Sequence, residues 1–117
     1  MQEHIANQQE FWPRRVTGGP HLIQSIVAPL CGVEVDDLLG RGGEARVAFA
    51  RQIAMYLMHV LYGHSLTEVA GFFGRHRSTA FYACQKIEDL REDPCFDRQL
   101  TQLENLLRSA ADIEVTL

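Results

Sequence analysis

No GxxxxGK[ST] loop occurs in this chain, so nothing in it would cradle nucleotide phosphates on backbone amides beside a lysine and a magnesium-binding hydroxyl. Gly40 and the Gly42-Gly43 pair lack both that lysine and a preceding apolar strand, and ATP hydrolysis is not expected. A GxSxG elbow and a paired-carboxylate arrangement are also missing, which argues against an enzyme. The 3 cysteines, Cys31, Cys84 and Cys95, are too few and too widely spaced for a disulfide framework or a CxxC site. No HExxH spacing joins the 5 histidines, and His59 and His64 straddle a helix end. No metal and no cofactor are expected. The N-terminus has no basic start followed by an apolar run, and the longest apolar helix is interrupted by Arg51, Gln52 and His59. The expectation is a cytoplasmic protein without a membrane partner.

What remains is ordinary for one small globular domain: 117 residues, 46% hydrophobic and 22% charged, are enough for a single core. Residues 1–19 show little periodicity and end in Gly18-Gly19-Pro20, which reads as a tail or linker. Within it, Phe11-Trp12-Pro13-Arg14-Arg15 reads as a clamp on the domain itself, with a docking peptide as the alternative. The helical domain is placed at 20–112, followed by a short tail at 113–117.

Pro20 suits a first helical turn, and Leu22, Ile23, Ile26 and Val27 form a core stripe up to about Leu30. Val35 to Leu39 reads as a short helical turn. Glu44 to Tyr62 reads as a long helix, apolar nearly all round through Phe49, Ala50, Ile53, Ala54, Met55, Leu57, Met58 and Leu61, and therefore central. Gly63 ends it. After Pro94, the stripe Phe96, Leu100, Leu103, Leu107 and Ala110 alternates by four and three. It reads as an antiparallel cover for the domain's own core, with a dimer seam as the alternative, so the protein is expected to be a monomer or weak homodimer.

Residues 65–88, SLTEVAGFFGRHRSTAFYACQKIE, carry the most information. Ser65 and Glu68 form a capping box, and Leu66, Val69, Ala70 and Phe73 then define an apolar face. Gly74 supplies the turn. In the next helix Ala80, Ala83, Cys84, Ile87 and Leu90 cluster on one side at about 100° per residue. Opposite lie Ser78, Phe81, Tyr82, Gln85 and Asp89, preceded by Arg75 and Arg77. Such a face offers groups for phosphates, base edges and a thymine methyl, which is how a helix-turn-helix meets duplex DNA; an ordinary helical hairpin shares the same spacing.

From Leu22 to Leu103, roughly two thirds of the chain, the segments IVAPLCGVEVDDLLG, ARQIAMYL, HSLTEVAGFFGR and STAFYACQKIEDLRED closely resemble the C-terminal DNA-binding domain of the bacterial replication initiator DnaA. The resemblance implies an all-α, Trp-repressor-like domain whose helix-turn-helix binds short sites in double-stranded DNA, in control of replication initiation or transcription. On that footing the DNA-facing set is Arg75, His76, Arg77, Ser78, Thr79, Tyr82 and Gln85, with Ser65, Gln52, Lys86, Arg41, Arg46 and Arg51 as further contacts, chiefly to phosphate. Two departures stand out. Where initiators show a GRDH[ST]T-like signature this chain has Gly74-Arg75-His76-Arg77-Ser78-Thr79, so an acid that can cap the helix and accept from a base amine becomes His76, and the usual histidine becomes Arg77, which prefers guanine or phosphate. Phe49 stands where an arginine entering the minor groove would be expected, and Glu44 opposes the remaining bases of the loop.

The net charge of -4 hides an internal division. Between Arg41 and Arg91 seven bases face four acids, whereas from Glu92 onward six acids face two bases, a polarity that favours one approach to a polyanion and suggests a solvated acidic last helix. Duplex DNA is the expected partner. A protein-binding adaptor on the same fold is the alternative, with the replication initiator itself as a candidate partner, through Phe81, Tyr82, the Trp12 segment or the acidic last helix.

Overall fold

The computed structural model describes residues 19–116, with side chains described for 20–110. The Trp12 segment lies outside them. Six helices follow one another: α1 Gly19–Cys31, α2 Val35–Leu39, α3 Ala45–Val60, α4 Leu66–Phe72, α5 Arg77–Leu90 and α6 Pro94–Thr116. The described residues contain no strand, and the fold is all-α. None of these helices is long and apolar enough to cross a membrane.

Helix α3 is the axle, as its all-round apolar pattern demands. Ala50, Ile53, Ala54, Met55, Leu57 and Met58 are all buried, so no face of its second half is left for solvent until His59 and Val60. Helices α1, α2, α4 and α5 pack around it. From α1, Ile23 and Val27 are fully buried while Leu22 and Ile26 close the rim of the same core. Gly63, at φ 77°, lets the chain reverse after α3, and the amide of His64 then bonds back to the Met58 carbonyl.

Helix α6 covers the core. Leu100 and Leu107 are buried and Phe96 and Leu103 partly so, against α1 and against Phe49, whose ring lies 6.1 Å from that of Phe96. The stripe thus serves the domain's own core. Helix α6 also continues past residue 112 to Thr116.

The acidic flank is less solvated than its composition suggests. Arg91, the C-cap of α5, is tied down on several sides: Nε donates to Asp97 Oδ1 at 2.6 Å, Nη1 to Glu104 Oε2 at 2.9 Å and to Tyr56 Oη at 3.1 Å, and Nη2 to Thr101 Oγ1 at 2.8 Å. Glu104 is 8% exposed. Burial works against the Arg91 charge, but the bonds from Glu104, Asp97 and Tyr56 outweigh it and hold the guanidinium protonated more firmly than usual. One side chain therefore ties α3, α5 and α6 together. Elsewhere in α5, burial, with the Glu88 charge nearby, pushes the Cys84 thiol up to about 11, in keeping with a packed, unreactive cysteine.

Candidate nucleic-acid interface

Helix α4 begins as its capping box requires. Ser65 Oγ accepts from the Glu68 amide at 3.0 Å and Glu68 Oε1 accepts from the Ser65 amide at 2.9 Å. Ser65 is exposed, with its oxygen committed to this cap. The bond from the Ser65 amide is the main reason the Glu68 carboxyl sits below its ordinary pKa, opposed by slight burial and helped by His64 at 3.4 Å. A carboxyl lowered on folding adds stability above its unfolded pKa and withdraws it as pH falls through the folded value. Ser65→Ala should cost about 1 kcal/mol at neutral pH. The bond from the Ser65 amide to the Glu68 carboxylate survives this change, so the deficit is expected to vary little when unfolding is repeated at a series of pH values through the carboxylate range.

Val69, Ala70 and Phe73 bury one face of α4 against the core, and the chain turns at Gly74, φ 65°, where the Arg75 amide reaches back to the Ala70 carbonyl at 2.8 Å. A side chain there would be strained by the left-handed backbone. Helix α5 then buries Ala80, Ala83 and Ile87, with Cys84 partly covered. Leu90, assigned to the same face, is 36% exposed because the helix ends beside it and the core has run out. The opposite face carries Ser78, Thr79, Tyr82, Gln85 and Lys86, all exposed. Tyr82 is 65% exposed and stacks edge-on against Phe81 at 5.2 Å.

His76 occupies the N-cap of α5 but makes no side-chain cap bond. The Thr79 amide bonds to the His76 carbonyl at 3.0 Å, which leaves the amides of Arg77 and Ser78 to face out of the helix beside the exposed Arg77 side chain, an arrangement that suits an anion. His76→Asp should restore the cap and raise stability by about 1 kcal/mol, read as an upward shift of the thermal midpoint.

The basic residues divide into two groups. Arg41, Arg46, Arg77 and Lys86 are exposed, Arg46 reaching only a long 3.5 Å contact with the Gly32 carbonyl and Lys86 lying 5.9 Å above the Phe49 ring. Arg51 and Arg75 are instead bonded to main-chain carbonyls. Arg51 is 6% exposed, with Nε on the Leu38 carbonyl at 2.7 Å and Nη2 on those of Asp37 at 2.8 Å and Gly40 at 3.0 Å. Three carbonyls at the end of α2 take up the donors of this buried guanidinium, so Arg51 shapes the loop. Arg75 is half-buried and turned back, Nη1 to the Phe73 carbonyl at 2.9 Å and Nη2 to that of Gly40 at 3.1 Å. Neither anchor was legible in the sequence, because a bond to a main-chain carbonyl leaves no mark on side-chain pattern.

Arg51, Gln52, Arg75, Thr79, Tyr82 and Lys86 nevertheless line one concavity between α3 and α5, and Gln52 Oε1 is buried there without a partner among the described residues. Phe49 has a packing role, between Phe96 and Lys86. No group of three or more potential metal ligands occurs among the described residues.

A family profile described as the bacterial dnaA protein helix-turn-helix matches residues 20–87, the span from the start of α1 to the buried Ile87 of α5. The chain belongs to the bacterial DnaA helix-turn-helix family. The chromosomal replication initiator proteins DnaA of two Thermus thermophilus strains are each 38% identical to it over 101 residues, covering 86% of this chain and 22% of theirs. That of Synechococcus sp. strain JA-2-3B'a(2-13) is 34% identical over 102 residues, covering 86% and 21%. The chain thus spans about a fifth of the length of these DnaA proteins.

Proposed function

We propose that this DnaA-family domain binds double-stranded DNA sequence-specifically, laying α5 in the major groove to control replication initiation or transcription, without hydrolysing ATP. The observation that carries this reading is the α5 surface: Arg77 at its first turn, Ser78, Thr79, Tyr82 and Gln85 exposed along it, and Lys86 beyond them, all on the side away from the buried Ala80, Ala83 and Ile87. Arginine and glutamine suit guanine and adenine edges, hydroxyls suit phosphate or base edges, and an aromatic ring suits a thymine methyl. Arg41, Arg46 and Lys86 supply exposed cations to either side for the backbone. The sequence's lack of a phosphate-cradling loop supports the absence of ATPase activity.

The test is a titration of a labelled random duplex across a range of salt. With four exposed cations in reach of phosphate, log K is expected to fall against log salt with a slope of about -3 to -4. Binding that does not respond to salt would overturn the phosphate contacts. No binding at low salt would instead make the protein-binding adaptor the leading reading, with the exposed Phe81–Tyr82 pair as its candidate surface.

A further inference from the structure

Arg75 joins two segments 35 residues apart in sequence. Its Nη1 holds the Phe73 carbonyl in the turn between α4 and α5, and its Nη2 holds the Gly40 carbonyl, the last residue before the loop that carries Arg41. The same Gly40 oxygen receives Arg51 Nη2 from α3 at 3.0 Å. Two cations have been drawn onto one carbonyl: burial first, and then repulsion from Arg75, makes the Arg51 guanidinium easier to deprotonate than an ordinary arginine, against the pull of Asp37. Like charges held this close are a cost, accepted only if the joint geometry is needed.

We propose that Arg75 is a positioning residue rather than a base reader: together with Arg51 it clamps the Gly40–Arg41 peptide plane to the helix-turn-helix, and so sets where the loop cation Arg41 meets DNA relative to α5. The clamp needs an arginine. A planar guanidinium presents separate donors that span two carbonyls in different segments, whereas a lysine ammonium is a single point that keeps the charge but reaches only one. The DNA-directed half of this inference rests on the proposed function; the clamp itself does not.

Two measurements on Arg75→Lys and Arg75→Met, each first checked for retained cooperative unfolding, separate those halves. The first is backbone relaxation of the Arg41 amide in DNA-free protein. In the parent its order parameter is expected to lie near the rigid value of about 0.85, and in both variants to fall below about 0.6. The second is a binding cycle on duplex DNA. Arg41→Ala is expected to weaken the parent about five-fold but the Arg75→Lys background less than about two-fold, because a loop set free no longer presents its cation. An unchanged Arg41 amide in both variants would overturn the clamp. An Arg41→Ala penalty of equal size in both backgrounds, with the loop loosened, would overturn its role in presenting Arg41. If the parent binds no duplex, the proposed function fails and with it the DNA-directed half, while the relaxation data still decide the clamp.

Discussion

Replacing Arg77 with alanine is expected to weaken binding to the preferred duplex by about 1–3 kcal/mol while leaving the thermal midpoint within about 2 °C of the parent. The two halves of that result follow from the same position. Arg77 opens α5, is exposed, and stands at a helix end that no side chain caps, so its loss removes a donor for guanine or phosphate without opening the core. Which of those it serves is read from the pattern. A base contact predicts a relaxed preference at one position of the site; a phosphate contact predicts a uniform loss on all sequences and a salt slope shallower by about 1. Competition titrations on a set of single-base site variants make the distinction. Unchanged affinity and unchanged preference would remove Arg77 from the interface.

Arg91→Met is expected to show the reverse pattern, a loss of about 2–4 kcal/mol of stability and a fall in the thermal midpoint of about 10 °C, with the DNA-facing surface untouched. Removing the guanidinium leaves Glu104 carrying a charge in an 8% exposed site and strips Tyr56 and Thr101 of a donor. The cost comes mainly from the stranded carboxylate. Pairing the change with Glu104→Met should therefore recover more than half of the loss, because two packed thioethers need no counter-charge. A double variant no more stable than Arg91→Met would show that the network's value lies elsewhere. Chemical unfolding of the four proteins of this cycle gives the coupling directly.

The contrast between these residues explains what the sequence could and could not disclose. Helix α3 announced itself because its apolar residues run all round, and α4 because Ser65 and Glu68 sit at capping spacing before an amphipathic face. The turn was fixed by Gly74, the residue suited to a positive φ. Local rules of this kind act over three or four residues and survive in the sequence. The Arg91 network and the Arg75 clamp depend on bonds between residues up to 35 apart, and two of the partners are bare carbonyls. Arg41, Arg51 and Arg75 are equivalent when counted as charge, yet one is exposed, one is buried and one is turned back onto the main chain. A partial signal for the network did exist: Asp97, Thr101 and Glu104 recur by four and three along α6, a polar stripe beside the apolar one, which marks a polar contact across helices rather than a solvated acidic face. Phe49 follows the same logic. Compared with a groove-entering arginine it reads as a loss, but in place it joins α3 to the first turn of α6 through Phe96.

The most direct test of sequence-specific readout by α5 is selection from a pool of random duplexes at two salt concentrations, sequencing the bound fraction of the parent and of Arg77→Ala in parallel. Enrichment of one defined motif by the parent at both salts, and a weakened or relaxed motif for the variant, is the predicted result. Salt-sensitive retention of the pool without any motif would contradict it, reducing the α5 surface to phosphate contact alone.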